Sequence, residues 1–266
     1  MGSGIKVIED GIRQSIVDEL ALIEKSEQVT IFYACESGSR AWGFESKDSD
    51  YDVRFLYLHP VDWYLTILDK PDVIERPMKG DLDVSGWDIR KALELFRKSN
   101  PPLLEWLQSP IVYRQNTAIM DQFRALLPEY YSPIACLHHY LHMAQGNFRK
   151  YLKDEEVWVK KYFYVLRPVL ACRWIERDLG VVPIAFQKLV DGTVDDKGLK
   201  SAITDLMARK RQGVELDRGP RIPAISGFID AELQRIESLN QVRPALTSDP
   251  RRLDELFREA LKTAWG

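Results

Sequence analysis

The sequence predicts an α+β chain in two parts: an α/β domain over residues 1–110 and an all-α domain over 111–266. Three observations carry that prediction. Runs of β-branched and aromatic residues too short for helices occupy 28–36 and 51–59 and read as strands. The stretch Ser99-Asn100-Pro101-Pro102 then breaks the pattern, since paired prolines cannot continue a helix. Beyond it, apolar residues recur at helical spacing and strand signals are few.

Taken in order, Ile12, Ile16, Leu20 and Ile23 give an amphipathic helix over 8–26. The strand at 28–36 is interrupted by Gly38, Ser39 and Gly43, and the strand at 51–59 stops at Pro60. A short helix is expected at 62–69, a strand at 73–77, a turn at Lys79-Gly80 and an alternating strand at 81–87. Asp88 then caps a helix that continues through Ile89, Leu93 and Phe96. After the proline break, helices are expected at 116–127, 133–153, 157–179, 195–210, 224–240 and 249–264.

Composition narrows the class. Hydrophobic residues make up 45% and charged residues 29% of 266, enough for a substantial core in a globular protein. A net charge of −3 excludes a strongly basic chain but not a local basic groove. Cys35, Cys136 and Cys172 show neither metal nor disulfide spacing and read as buried thiols in a reducing compartment. No apolar run approaches a membrane span and the N-terminal residues show no signal-peptide apolar core, so no membrane partner and a cytoplasmic location are expected. The opening Met1-Gly2-Ser3-Gly4 is read as a flexible start or an expression scar.

The chemistry concentrates at 38–55. Strand side chains alternate, so Asp50, Asp52 and Arg54 share one face. Two carboxylates about 6.6 Å apart at Cβ can converge on a divalent cation, and Mg²⁺ takes one or two carboxylates together with substrate phosphates. Taken alone, the pair is more simply a strand edge facing water. Context reverses that reading. Gly38-Ser39 follows directly on a strand, where a glycine lets backbone approach a phosphate and the serine hydroxyl donates to it. Asp83, on a later strand, supplies a third acid, as a two-metal site for in-line phosphoryl chemistry requires.

The stretch GSRAWGFESKDSDYDV, with Leu82-Asp83-Val84 behind it, resembles the signature of the polymerase-beta-like nucleotidyltransferase superfamily. Together with DLDVSGWDIRKAL, NPPLLEWLQSPIVY and KKYFYVLRPVLACRWI, it is similar to the bacterial and phage nucleotidyltransferases associated with RNA repair. The resemblance implies a small mixed sheet backed by helices and a helical domain that closes a nucleotide cleft. It implies transfer of a nucleoside monophosphate from an NTP, such as ATP, to a hydroxyl, with release of pyrophosphate. Gly38 and Ser39 would hold the triphosphate, Asp50 and Asp52 would bind two Mg²⁺ or Mn²⁺ ions, and Asp83 would bind the catalytic ion and help deprotonate the acceptor. An RNA end is the first acceptor it implies, a protein hydroxyl or an aminoglycoside-like small molecule the alternatives. A non-catalytic nucleotide sensor is the competing class. Oligomeric state stays open.

Further residues are candidates with a plain structural alternative. Arg40 either reaches a phosphate or is a solvated loop residue, and Arg54 either contacts phosphates or pairs with the acids beside it. Glu36 is expected to pair with a base. Lys160, Tyr164 and Arg167, at i, i+4 and i+7 of one expected helix, form a stripe suited to a triphosphate and a stacked base, or else a solvent face. Arg149 and Lys150 add charge on the helix before it. His138 and His142 have zinc spacing without a third ligand and are read as packing or surface residues, and Arg209-Lys210-Arg211 as a solvated basic face.

Overall fold

In the computed structural model, residues 8–213, 218–238 and 249–266 are described. The opening Met1-Gly2-Ser3-Gly4, the last two residues of the helix expected at 224–240 and part of the stretch 206–218 lie outside them. The chain runs α1 (Asp10–Glu27), β1 (Thr30–Glu36), α2 (Gly38–Trp42), β2 (Tyr51–Leu58), α3 (Val61–Tyr64), β3 (Val73–Glu75), β4 (Leu82–Asp88), α4 (Ile89–Arg97), α5 (Pro101–Leu107), β5 (Val112–Gln115) and α6 (Thr117–Tyr130). It continues with α7 (Pro133–Tyr151), β6 (Glu156–Trp158), a 3-10 turn (Val159–Lys161), α8 (Tyr162–Glu176), α9 (Phe186–Thr193), α10 (Lys197–Arg211), β7 (Arg218–Pro220), α11 (Pro223–Ser238) and α12 (Arg251–Trp265).

These elements form two compact units. The first holds the described residues up to Ala41, Asp50–Tyr131 and the C-terminal helix; the second holds Trp42–Ser49 and the described residues from Ser132 to Ser238. The division therefore falls after α6 rather than near residue 110. β5 pairs with β1, and α12 returns to the first unit, where Tyr130 donates a hydrogen bond to the Asp249 carbonyl and Arg252 pairs with Glu129.

The first unit is built on a mixed five-stranded sheet of order β3-β4-β2-β1-β5, in which β2 and β4 are parallel and every other pair antiparallel. One face takes Ile16, Leu20 and Ile23 of α1 against Ile31, Ala34, Val53, Phe55, Tyr57 and Val84. A register shift lies between Ile31 and Tyr33. Phe32 stacks on Phe123 of α6, and the Tyr33 hydroxyl donates to the Trp106 carbonyl of α5 at 2.5 Å. Trp87 of β4 stacks on Trp106 at 3.8 Å. The alternation read from the sequence thus holds along β2, and the polar end of its second face stays uncovered by α5.

Several elements differ from expectation for identifiable reasons. The Pro101-Pro102 break is a helix start: proline is tolerated in the first turn, and the Asn100 side chain caps α5 by accepting from Leu103 N–H. The helix expected at 62–69 lasts one turn, Val61–Tyr64. The helix expected from 157 begins only at Tyr162, because Glu156–Trp158 pairs antiparallel with the distant Arg218–Pro220 in a two-stranded sheet. Among the described residues the second unit's only strands are these two. All three cysteines are free and buried. Among the described residues no helix is long and apolar enough to cross a membrane.

One polar cluster ties together the ends of β2 and β4. Tyr64 donates to Asp88 at 2.7 Å and accepts from His59 N–H at 3.0 Å, while Asp88 caps α4 through Arg90 N–H. His59 lies flat on Trp63 at 3.8 Å. Burial, then the charges of Lys70 and Arg90, push the His59 imidazole down to about 4 from an ordinary 6.5. A depressed histidine takes up its proton more readily unfolded, so its contribution is intact above 6.5 and is lost as pH falls toward 4. Urea denaturation is expected to show a stability loss on the order of 2 kcal/mol between pH 7 and pH 4.5 that His59→Phe removes.

Candidate active site

The carboxylates meet because β2 and β4 run parallel in register. Asp52 stands opposite Asp83, with Val53 opposite Val84 and Arg54 opposite Ser85. Val53 and Val84 are buried in the α1 core, which turns Asp52 and Asp83 to the other face. Arg54 lies between them. Its Nη2 is 3.3 Å from Asp52 Oδ1 and 2.7 Å from Asp83 Oδ2, and its Nη1 donates to the carbonyls of Val53 and Asp83. Of its two expected roles, the ion pair is the one formed. Asp50 sits one residue ahead of β2, exposed, and its carbonyl accepts from Arg40 Nε at 3.1 Å. The Arg40 guanidinium also covers the Tyr51 ring at 3.8 Å.

Gly38 closes the other side of Asp52. Its φ of +58° is a left-handed conformation, and a Cβ at that position would lie 2.0 Å from Asp52 Oδ2. The glycine is required twice, for its backbone angle and for the space its missing side chain leaves to the carboxylate. Ser37 N–H donates to the Asp52 carbonyl at 2.8 Å, which fastens the start of α2 to β2. Gly38 and Ser39 are thus held beside the carboxylate pair, in a short helix where only a break was expected.

A buried glutamate supports this arrangement from behind. Glu36 is fully buried; its carboxylate accepts from Asp52 N–H at 2.9 Å and from the Tyr113 hydroxyl, and its carbonyl accepts from the Ser109 hydroxyl. No base pairs with it among the described residues. Burial pushes its pKa up to about 7 against the opposing pull of its two hydrogen bonds. Burial also raises the Asp52 carboxyl; Arg54 lowers it, and the nearby charges of Asp83 and Asp50 raise it further. Sequence reasoning placed Glu36 beside the loop without its role. The available signal was an acid closing an otherwise apolar strand.

The residues fit a cation. One positively charged nitrogen already lies within 3.3 Å of an oxygen from each of two carboxylates, and both are the hard oxygen donors that Mg²⁺ or Mn²⁺ prefers. Among the described residues no group of three His, Cys, Asp and Glu is gathered as a ready-made metal cluster. That agrees with Asp50 facing solvent and Arg54 filling the space between Asp52 and Asp83. His138 and His142 belong to no such cluster either.

The second unit does not hold the expected stripe. Lys160 lies in the 3-10 turn before α8, so the count i, i+4, i+7 does not run along one helix. Tyr164 is 43% exposed, whereas Arg167 is 2% exposed with its guanidinium over the Trp42 ring at 4.9 Å. Tyr164 meets the same ring edge-on at 5.8 Å. Trp42 ends the helix that begins at Gly38, and it belongs to the second unit with Phe44, which stacks on Phe163 at 4.4 Å. Arg149 lines a shallow groove with Gln145, Asp230 and Glu237.

Comparison with known proteins gives three results. The family model RlaP, described as RNA repair pathway DNA polymerase beta family, matches residues 12–259. A Bacillus subtilis (strain 168) protein named uncharacterized protein YcgL is 47% identical over 255 residues, which is 96% of this chain and 98% of that protein. The crystal structure of a nucleotidyltransferase-like protein from Exiguobacterium sibiricum 255-15 aligns over 93% of this chain and 80% of its own, at 12% identity and a TM-score of 0.32.

The double demand on Gly38 separates it from other left-handed glycines. Gly43 has φ +85°, but a Cβ added there would meet nothing within 4 Å. Gly43→Ala is expected to cost about 1 kcal/mol of backbone strain, and Gly38→Ala about 2–4 kcal/mol, because Asp52 must also move. Urea denaturation of the two variants side by side checks the difference.

Proposed function

The chain belongs to the RlaP family, the RNA repair pathway DNA polymerase beta family, and on that premise we propose that it transfers a nucleoside monophosphate from an NTP to the hydroxyl of an RNA end. The observation that carries the reading is the pairing of Asp52 with Asp83 across parallel strands around one shared cation, with Gly38 against Asp52. A surface strand edge would not need two acids sharing one guanidinium, a glycine cut to fit one of them and a buried glutamate fixing its backbone.

In this reading Gly38 and Ser39 hold the triphosphate through backbone N–H groups and the serine hydroxyl, and Asp50, Asp52 and Asp83 hold divalent ions, Mg²⁺ or Mn²⁺. When bound, such ions supply charge neutralisation at the phosphates and lower the pKa of the attacking hydroxyl. The acceptor oxygen attacks the α-phosphorus, the bond from that phosphorus to the β-phosphate oxygen breaks, and pyrophosphate leaves. Asp83 takes the hydroxyl proton. Arg54, paired with both acids, favours the charged form of Asp52 against the upward push of its burial and of the neighbouring acids. Glu36 and Tyr113 keep the Asp52 main chain in place. Positioning and charge neutralisation are the whole task in this class of reaction. The RNA acceptor draws its support from the family's description.

Incubation with each labelled NTP, Mg²⁺ or Mn²⁺, and RNA ends, proteins or small molecules in turn tests both donor and acceptor. Labelled RNA with released pyrophosphate is expected. NTP bound without pyrophosphate release under any condition would make the protein a sensor instead. Asp50→Asn and Asp52→Asn are each expected to lower transfer at least about a hundredfold with little change in melting temperature.

A further inference from the structure

Exposed rings and cations interleave on the second unit. Trp158 and Tyr164 are 38% and 43% exposed, two of the three exposed aromatic residues among those described. Across the β6–β7 pair Trp158 stands opposite Arg218, whose guanidinium lies 6.0 Å from the indole centre, with Lys160 Nζ at 5.9 Å. Lys161 Nζ is 4.3 Å from the Tyr164 ring and 5.0 Å from the Tyr151 ring, which Lys150 also approaches to 5.0 Å. Lys161 therefore joins the Tyr151 and Tyr164 rings, and Trp158, three residues before Lys161, carries its own two cations. None of Lys150, Lys160, Lys161 and Arg218 forms an ion pair with a carboxylate among the described residues, so their charge is not cancelled locally. Tyr151 reports the resulting field. Its hydroxyl is held below its ordinary range, first by the hydrogen bond from Lys150 and then by the charge of Lys161.

We propose that this surface binds a single strand of nucleic acid, bases on Trp158 and Tyr164 and phosphates along Lys150, Lys160, Lys161 and Arg218. The chemistry selects the occupant. Uncompensated cations ask for a polyanion, and ring faces presented beside them ask for flat groups that a single strand exposes and a duplex hides. The acids Asp154, Glu155 and Glu156, at the start of β6, bound the surface there and repel a polyanion. The inference rests on the nucleotidyltransferase reading only for the sugar, since an RNA-end acceptor names the strand as RNA.

Fluorescence anisotropy with a labelled single-stranded RNA of about a dozen nucleotides tests it. Trp158→Ala is expected to weaken binding about tenfold, and Trp158→Phe to restore most of it, because one stacked base is lost and regained. Arg218→Gln, at an exposed strand position, is expected to reduce the slope of log affinity against log salt by roughly 0.7. Melting temperatures of the variants control for folding. Binding unchanged in both Trp158→Ala and Arg218→Gln overturns the proposal, as does equal wild-type affinity for a duplex of the same length. Asp52→Asn separates the two readings. Transfer to some acceptor without RNA binding refutes this surface and leaves the enzyme. RNA binding that survives Asp52→Asn, where transfer does not, is the result expected if both readings hold, and RNA binding by a wild-type protein that releases no pyrophosphate from any NTP refutes the enzyme and leaves the surface.

Discussion

Everything at the candidate site depends on the register between β2 and β4. A strand's faces alternate with a period of two, so a slip of one residue would send Asp83 into the α1 core and bring a valine to the acids. The register is set by apolar packing and not by the acids. Val53 and Phe55 interlock with Val84 and Gly86, and a Cβ on Gly86 would lie 2.2 Å from the Phe55 ring. A glycine in a strand normally weakens it. Here it admits a phenyl ring and so fixes which residues of β4 face which residues of β2. The hydrophobic side of the sheet thus decides the geometry of its polar side.

That geometry is electrostatically unfavourable until something offsets it. Burial, joined by the nearby charges of Asp83 and Asp50, raises the proton affinity of Asp52. The offset comes from fixed groups. Arg54 gives one nitrogen to both strand carboxylates, and its rigid fork places a second nitrogen on backbone carbonyls, which a lysine in its place would not do. Glu36 acts differently. It holds no charge partner but takes Asp52 N–H, the Tyr113 hydroxyl and, through its carbonyl, Ser109, so the strand behind the acids is anchored to β5 and the turn before it.

What the sequence disclosed follows from which interactions are local. Gly38-Ser39, Asp50 and Asp52 lie within one short stretch, and their residue types and spacing carry the chemistry without knowledge of the fold. Asp83 was legible because it alternates within its own strand. Tyr113 was not, being 77 residues from Glu36 on a four-residue strand too short to carry a pattern. The proline pair at 101–102 was legible as a boundary but ambiguous in kind, since proline both ends helices and begins them. The Lys160–Tyr164–Arg167 stripe failed because counting by 3.6 presupposes a helix. Pairing of Glu156–Trp158 with a strand some sixty residues later removed the first turn.

The same non-locality separates net charge from function. A chain of net charge −3 gives no general pull on a polyanion, and its acids outnumber its bases, 40 to 37. Distribution decides instead. Many surface bases here are paired with a nearby carboxylate, as Arg235 is with Glu176 and Glu232, and contribute little field beyond a Debye length. The bases around Trp158 and Tyr151 have aromatic rings for neighbours, and rings do not cancel charge. The acids of the sheet have the opposite arrangement, with Asp50, Asp52 and Asp83 against the guanidiniums of Arg54 and Arg40. Pairing in three dimensions, set by a two-stranded sheet in one unit and by strand register in the other, creates one place short of negative charge and one short of positive charge in a chain whose composition shows neither.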